Sequence, residues 1–107
     1  MTNARIGLTT AGSAGEARKL AQALVEKRLA ACVNIVPQVE SVYRWQGKVE
    51  TATEWLLIVK TTAGAFAAVR DTIQTLHSYD VPECVMLEVS DGEEKYLEWI
   101  EASVDSF

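Results

Sequence analysis

Residue patterning predicts a two-layer α+β sandwich of order β-α-β-β-α-β with a further C-terminal helix. Three features carry that prediction. Hydrophobic spacing switches repeatedly between a period of two and one near 3.6. Ser13 with Glu16 three positions on forms a helix-start signal. Gln46-Gly47 separates two long strand-like runs, as a hairpin turn does.

The elements follow in order. "ARIGLTT", residues 4–10, is short and partly β-branched and reads as a strand. After the Ser13 cap, Ala17, Leu20, Ala21, Leu24, Val25 and Leu29 recur at helical spacing and form one apolar face. Residues 32–45 alternate, with Val33, Ile35, Pro37, Val39, Tyr43 and Trp45 at the odd positions. Pro37 cannot donate to a strand ladder, so it marks a bulge or an edge. The return strand, residues 48–61, ends apolar on both sides, which implies burial on both faces. A second helix starts near Thr62 or Gly64 and carries Phe66, Val69, Ile73 and Leu76 as its buried stripe. "CVMLEVSD", residues 84–91, alternates as a strand, and Asp91 with Glu94 caps a last helix bearing Tyr96, Trp99 and Ile100. Two βαβ halves around a central hairpin make the ferredoxin-like pattern, an antiparallel sheet with both main helices on one face.

The chain has 107 residues, read as one domain over 1–107. Its net charge is −5 and unevenly placed: residues 80–107 hold nine acids against Lys95 alone. That tail reads as a solvated helix face. No basic patch speaks for nucleic acid. No apolar run approaches the roughly 20 residues of a membrane helix, and the N-terminus does not read as a signal peptide, so a cytoplasmic protein with no membrane partner is expected. Cys32 and Cys84 are then reduced thiols.

Length also implies an oligomer. A domain of this size should be about 34 Å across. A strand from Val33 to Trp45 would extend about 43 Å, so its hairpin should project beyond its own core. Tyr43 and Trp45 near the tip are costly to leave in water. A second copy covering them is the simplest resolution, which makes the partner self and Tyr43 and Trp45 interface residues.

The chemistry on offer is sparse. A nucleophile needs a base beside it, and His77 is the only histidine, so no enzyme is expected. "TTAGSAG", residues 9–15, lacks the Lys-Ser/Thr of a P-loop and reads as a compact strand-to-helix turn. Thiolate and imidazole together suit Cu(I) or Zn(II), which singles out Cys32, Cys84 and His77. Cys84, inside an alternating run, reads as packing, and Cys32, at a helix-to-strand junction, as more open to function. One chain hardly offers four ligands, so a metal site would be partly open or shared between copies.

Five strings, "LVEKRLAACVNIVP" (24–37), "SVYRWQGKVE" (41–50), "EWLLIVKTT" (54–62), "HSYDVPE" (77–83) and "YLEWI" (96–100), together resemble the CutA divalent-cation tolerance family. The resemblance runs from about residue 6 to residue 103. It implies a ferredoxin-like subunit in a homotrimer, similar in architecture to PII signalling proteins. It also implies a cytoplasmic binding protein, linked to tolerance of copper and other divalent metals, with no organic cofactor. On it, Cys32 and His77 match candidate metal ligands. Thr9 and Leu76 stand where some members carry further donors, and Ser78 where a proline is usual. The alternative is a PII-like regulatory module that binds a small molecule or protein at the inter-subunit cleft, with Lys60, Tyr79 and Glu83 supplying charge and hydrogen bonds.

Overall fold

The first strand, β1 (Ala4–Ala11), alternates as its sequence requires, with Gly7, Thr9 and Ala11 turned to the core and Ile6, Leu8 and Thr10 away from it. The structure, a computed structural model, describes residues 2–107. Ser13 then caps α1 (Ala14–Glu26) with extended backbone angles, and its Oγ accepts the Glu16 N–H at 3.1 Å. The helix buries Ala17, Leu20, Ala21 and Leu24. Val25, which spacing places on the apolar stripe, is exposed. Leu29 is buried, but in the turn beyond the helix, where Arg28 takes a positive φ of 59°.

Strands β2 (Cys32–Trp45) and β3 (Lys48–Thr62) form the expected hairpin. Gln46 and Gly47 close it with φ of 49° and 80°, both positive as a two-residue primed turn demands. Helix α2 (Phe66–Leu76) buries Val69 and Ile73, and starts later than its sequence suggests because β3 runs on to Thr62. Strand β4 (Val85–Glu88) has four residues, shorter than the alternating run. Helix α3 (Glu94–Ser103) is capped by Glu93, whose carboxylate accepts the Lys95 N–H. Asp91, the expected cap, instead accepts the N–H of Gly92.

The sheet order is β2-β3-β1-β4 and every pairing is antiparallel. That is the ferredoxin-like arrangement, extended by α3. Leu20 and Leu24 of α1 and Val69 and Ile73 of α2 meet Leu57 and Val59 in one core, so both helices cover the same sheet face. The acidic residues of α3 are mostly exposed, as expected of a solvated face.

One irregularity reorganises the hairpin. Val36 pairs with Leu56, but Val39 pairs with Glu54, so β2 carries one extra residue at Pro37-Gln38. Gln38 adopts φ 55° there. A one-residue insertion exchanges the two faces of a strand. Before the bulge, Val33 and Ile35 pack on the core. After it, Ser41, Tyr43 and Trp45 share the opposite face with Cys32, Asn34 and Val36.

Among the described residues, no helix pair packs against that opposite face. Register places Leu87, Ile6, Lys60 and Cys32 in one row across it, and Val85, Leu8, Ile58 and Asn34 in the next. Val36, Val85 and Leu87 are 38%, 47% and 49% exposed. The apolar run on both sides of β3 therefore has its second face only partly covered within one chain. The molecule measures 43 × 25 × 22 Å, elongated as a projecting hairpin requires.

Candidate functional site

The segment after α2, residues 77–83, is fixed from three sides. The His77 side chain is fully buried. Its Nδ1 accepts the backbone N–H of Tyr79 at 3.0 Å. Nε2 therefore carries the proton and donates to the Thr10 carbonyl at 2.6 Å. Tyr79 packs its ring on the imidazole, with centroids 4.5 Å apart, and its hydroxyl donates to Glu54 Oε2 at 3.0 Å. Gly12 makes room for it: a Cβ there would lie 3.1 Å from the Tyr79 hydroxyl.

Glu16 supplies the third tie. The helix-start signal reads it as closing a capping box on Ser13. Its carboxylate instead accepts the N–H of Gly12 at 3.3 Å and of Ser78 at 2.8 Å. A proline at 78, usual in the family this chain resembles, has no N–H to give. Burial works against ionisation of Glu16, but the bonds from Ser78 and Gly12 and the nearby His77 outweigh it and hold its pKa below the ordinary value. A depressed carboxylate pKa stabilises the fold above the unfolded-state value, and that contribution is lost as pH falls through the folded-state value. Glu16→Ala should therefore cost about 2 kcal/mol at neutral pH. The gap between variant and wild type in urea midpoint should close as pH falls below the ordinary carboxylate range. A gap that stays constant with pH would refute the clasp.

These ties place Tyr79 and Glu83 on a cleft of about 600 Å³. Its other walls are Thr10 and Glu54 of the sheet and Ser41, Tyr43 and Trp45 of the bent hairpin. It opens on the sheet face away from α1 and α2, because the bulge turned Tyr43 and Trp45 there. Burial raises the Tyr79 pKa first, and the bond to Glu54 and its charge add to that, pushing it up to about 12. Tyr79 thus stays a hydrogen-bond donor across the physiological range.

The expected site residues do not converge. Tyr79 and Glu83 line the cleft, and so do Tyr43 and Trp45. Lys60 is outside it: it pairs with Cys32 across β2 and β3, and its Nζ donates to Asn34 Oδ1. Cys32 Sγ lies 3.9 Å from the same oxygen, on the open sheet face. His77 is tied to Thr10, which lies four residues along β1 from Ile6 in the Cys32 row, so Cys32 and His77 do not meet in one chain. Cys84 packs against the core, as read from its pattern, and burial raises its pKa. Thr9 is in the core too, where its hydroxyl has no partner among the described residues. Among the described residues no group of three His, Cys, Asp or Glu could hold a metal ion. One chain's donors therefore do not fit a closed metal site. Sequence reasoning missed Glu54 and Glu16, the first inside a strand-like run and the second absorbed into a capping signal.

Comparison with known proteins agrees with this fold. The family model "CutA1 divalent ion tolerance protein" matches residues 6–103. The divalent-cation tolerance protein CutA of Thermus thermophilus is 52% identical over 93 residues, 87% of this chain and 90% of that one. Two longer relatives, the chloroplastic protein CutA of Arabidopsis thaliana and protein CutA of Homo sapiens, are spanned over 47% and 50% of their length. The solved divalent cation tolerance protein of Thermus thermophilus superposes with a TM-score of 0.93 at 47% identity, over 95% of this chain and 99% of that one. The periplasmic divalent cation tolerance protein CutA of Archaeoglobus fulgidus gives 0.91 at 42% identity, over 95% and 99%.

Proposed function

The chain belongs to the CutA1 divalent ion tolerance family, and we propose that it acts as a homotrimeric, cytoplasmic, non-enzymatic tolerance protein that binds copper or another divalent metal between copies. The supporting observation is the separation of donors on one chain beside a sheet face that needs covering. Cys32 lies on that face, where a second copy can bring its own donors to the thiolate. His77 joins such a site only by giving up its bond to Thr10 or to Tyr79. The metal proposal therefore rests on Cys32 first. Two free cysteines suit a reducing compartment.

Titrating Cu(I), Cu(II) and Zn(II) into the purified protein tests the reading. Cys32→Ser should weaken binding by at least about tenfold, and His77→Gln should leave it unchanged. Absence of saturable binding for every ion would remove the metal reading. Equal binding by wild type and Cys32→Ser would move the site elsewhere.

The cleft favours a second reading, the PII-like regulatory module. A cavity of about 600 Å³ lies in the range of small-molecule sites. Tyr79 and Glu83 line it, and the 77–83 segment is firmly tied. Lys60 plays no part in it.

A further inference from the structure

We propose that the Glu54 carboxylate is met by the Lys60 ammonium of a second copy, giving one ion pair at each contact between copies. The inference rests on the homotrimer proposed above and names the charged groups that specify it.

Strand β3 runs without a bulge of its own, so Glu54, Leu56, Ile58 and Lys60 share the sheet face away from α1 and α2. Glu54 is only 8% exposed. Its hydrogen bond among the described residues comes from the neutral Tyr79 hydroxyl, and no described cation pairs with it. Lys60 has the converse need. It is half-buried in a row with Cys32, Ile6 and Leu87, and its Nζ donates to the neutral Asn34 amide oxygen. The two residues are six positions apart on one strand. That is about 20 Å, too far for them to meet within one chain.

A copy laid over this face takes the remaining water from both charges. A buried charge without a counter-charge is strongly unfavourable, whereas a matched pair is tolerated. Covering the face therefore demands a cation at Glu54 and an anion at Lys60, and a second copy carries both. In a cyclic assembly each copy gives its lysine to one neighbour and its carboxylate to the other, so no charge is left over. Asp80 and Glu83 stand beside Glu54 on the cleft, and no described lysine, arginine or histidine does, so the incoming ammonium enters an acidic setting. Other cations answer this need less well. Lys48 lies opposite Trp45 and faces the same side, but it is exposed at the hairpin tip and loses little without a partner. Arg28 is already paired with Asp105.

A double-mutant cycle on the full chain tests the pair. Its readout is the dissociation constant of the assembly, measured by light scattering over a dilution series in enough urea to bring dissociation into range. Glu54→Gln keeps an acceptor for the Tyr79 hydroxyl and removes only the charge. Glu54→Gln and Lys60→Met should each weaken association about tenfold or more, because each leaves one buried charge unpaired. The two together should return it to within about threefold of wild type, because both unpaired charges are then gone. Residues about 20 Å apart in one chain act additively, so such a recovery arises only between copies. Lys48→Met should leave association unchanged, and circular dichroism checks that every variant is folded. Additive losses in an intact oligomer would overturn the pair and leave the assembly standing. Tighter association of Glu54→Gln alone would do the same, since it would mark a carboxylate that no copy pairs. Wild type at the mass of one chain would remove the assembly and the pair together.

Discussion

Replacing His77 with alanine should destabilise the protein by about 3–5 kcal/mol, with or without a chelator present. The imidazole is fully buried and satisfies two backbone groups, the Thr10 carbonyl and the Tyr79 N–H. Removing it leaves both without a partner, at about 1–3 kcal/mol each, and opens a cavity under the Tyr79 ring. Relaxation of the 77–83 segment recovers part of that sum. Tyr79→Phe, which loses only the bond to Glu54, should cost about 1 kcal/mol. Guanidinium unfolding with and without EDTA distinguishes a structural histidine from a ligand. A metal-bound His77 would make wild-type stability fall on chelation, which linkage requires. A loss below about 1 kcal/mol in His77→Ala would contradict a doubly bonded imidazole.

His77 shows how far residue type alone can mislead. A lone histidine beside cysteine and acids invites a metal reading, and nothing in one dimension says that both nitrogens are engaged. That depends on Thr10, 67 positions away. The fold was legible because local signals agreed with one another. The Ser13 cap, the Gln46-Gly47 turn and the two apolar stripes each fix an element, and their order leaves few topologies. Pro37 was legible as a bulge or edge, and β2 is both, an edge strand with a bulge. The consequence of the bulge was not. Odd-position alternation puts Val33, Ile35, Tyr43 and Trp45 on one face, whereas the inserted residue parts the first two from the last two. A period-two pattern cannot reveal a phase change when both faces are partly apolar. Lys60 was misplaced for a related reason: its row is set by pairing with Cys32, a long-range register. Glu16 was misread because its local role in capping is itself plausible, and its partner Ser78 lies 62 residues on.

The open sheet face yields the other large expected effect. Ile58→Lys should reduce the assembly to single chains at micromolar concentration. Ile58 stands mid-strand in β3, with Leu8 beside it on β1 and Val85 beyond on β4. In one chain this row is only partly covered, so a lysine there can reach water and the isolated fold should survive. In an oligomer sealed by this face, the same ammonium would be buried among aliphatic side chains. An unpaired buried charge costs several kcal/mol. A penalty of about 4 kcal/mol is roughly a thousandfold in the dissociation constant. Val25→Lys, an exposed position on α1, controls for added charge and should leave the mass unchanged. Light scattering reads both, and far-ultraviolet circular dichroism checks that Ile58→Lys remains folded. Wild type at the mass of one chain would refute the oligomer outright. A folded Ile58→Lys that keeps the wild-type mass would move the interface from this face to the hairpin, where Tyr43→Ala with Trp45→Ala should then dissociate it.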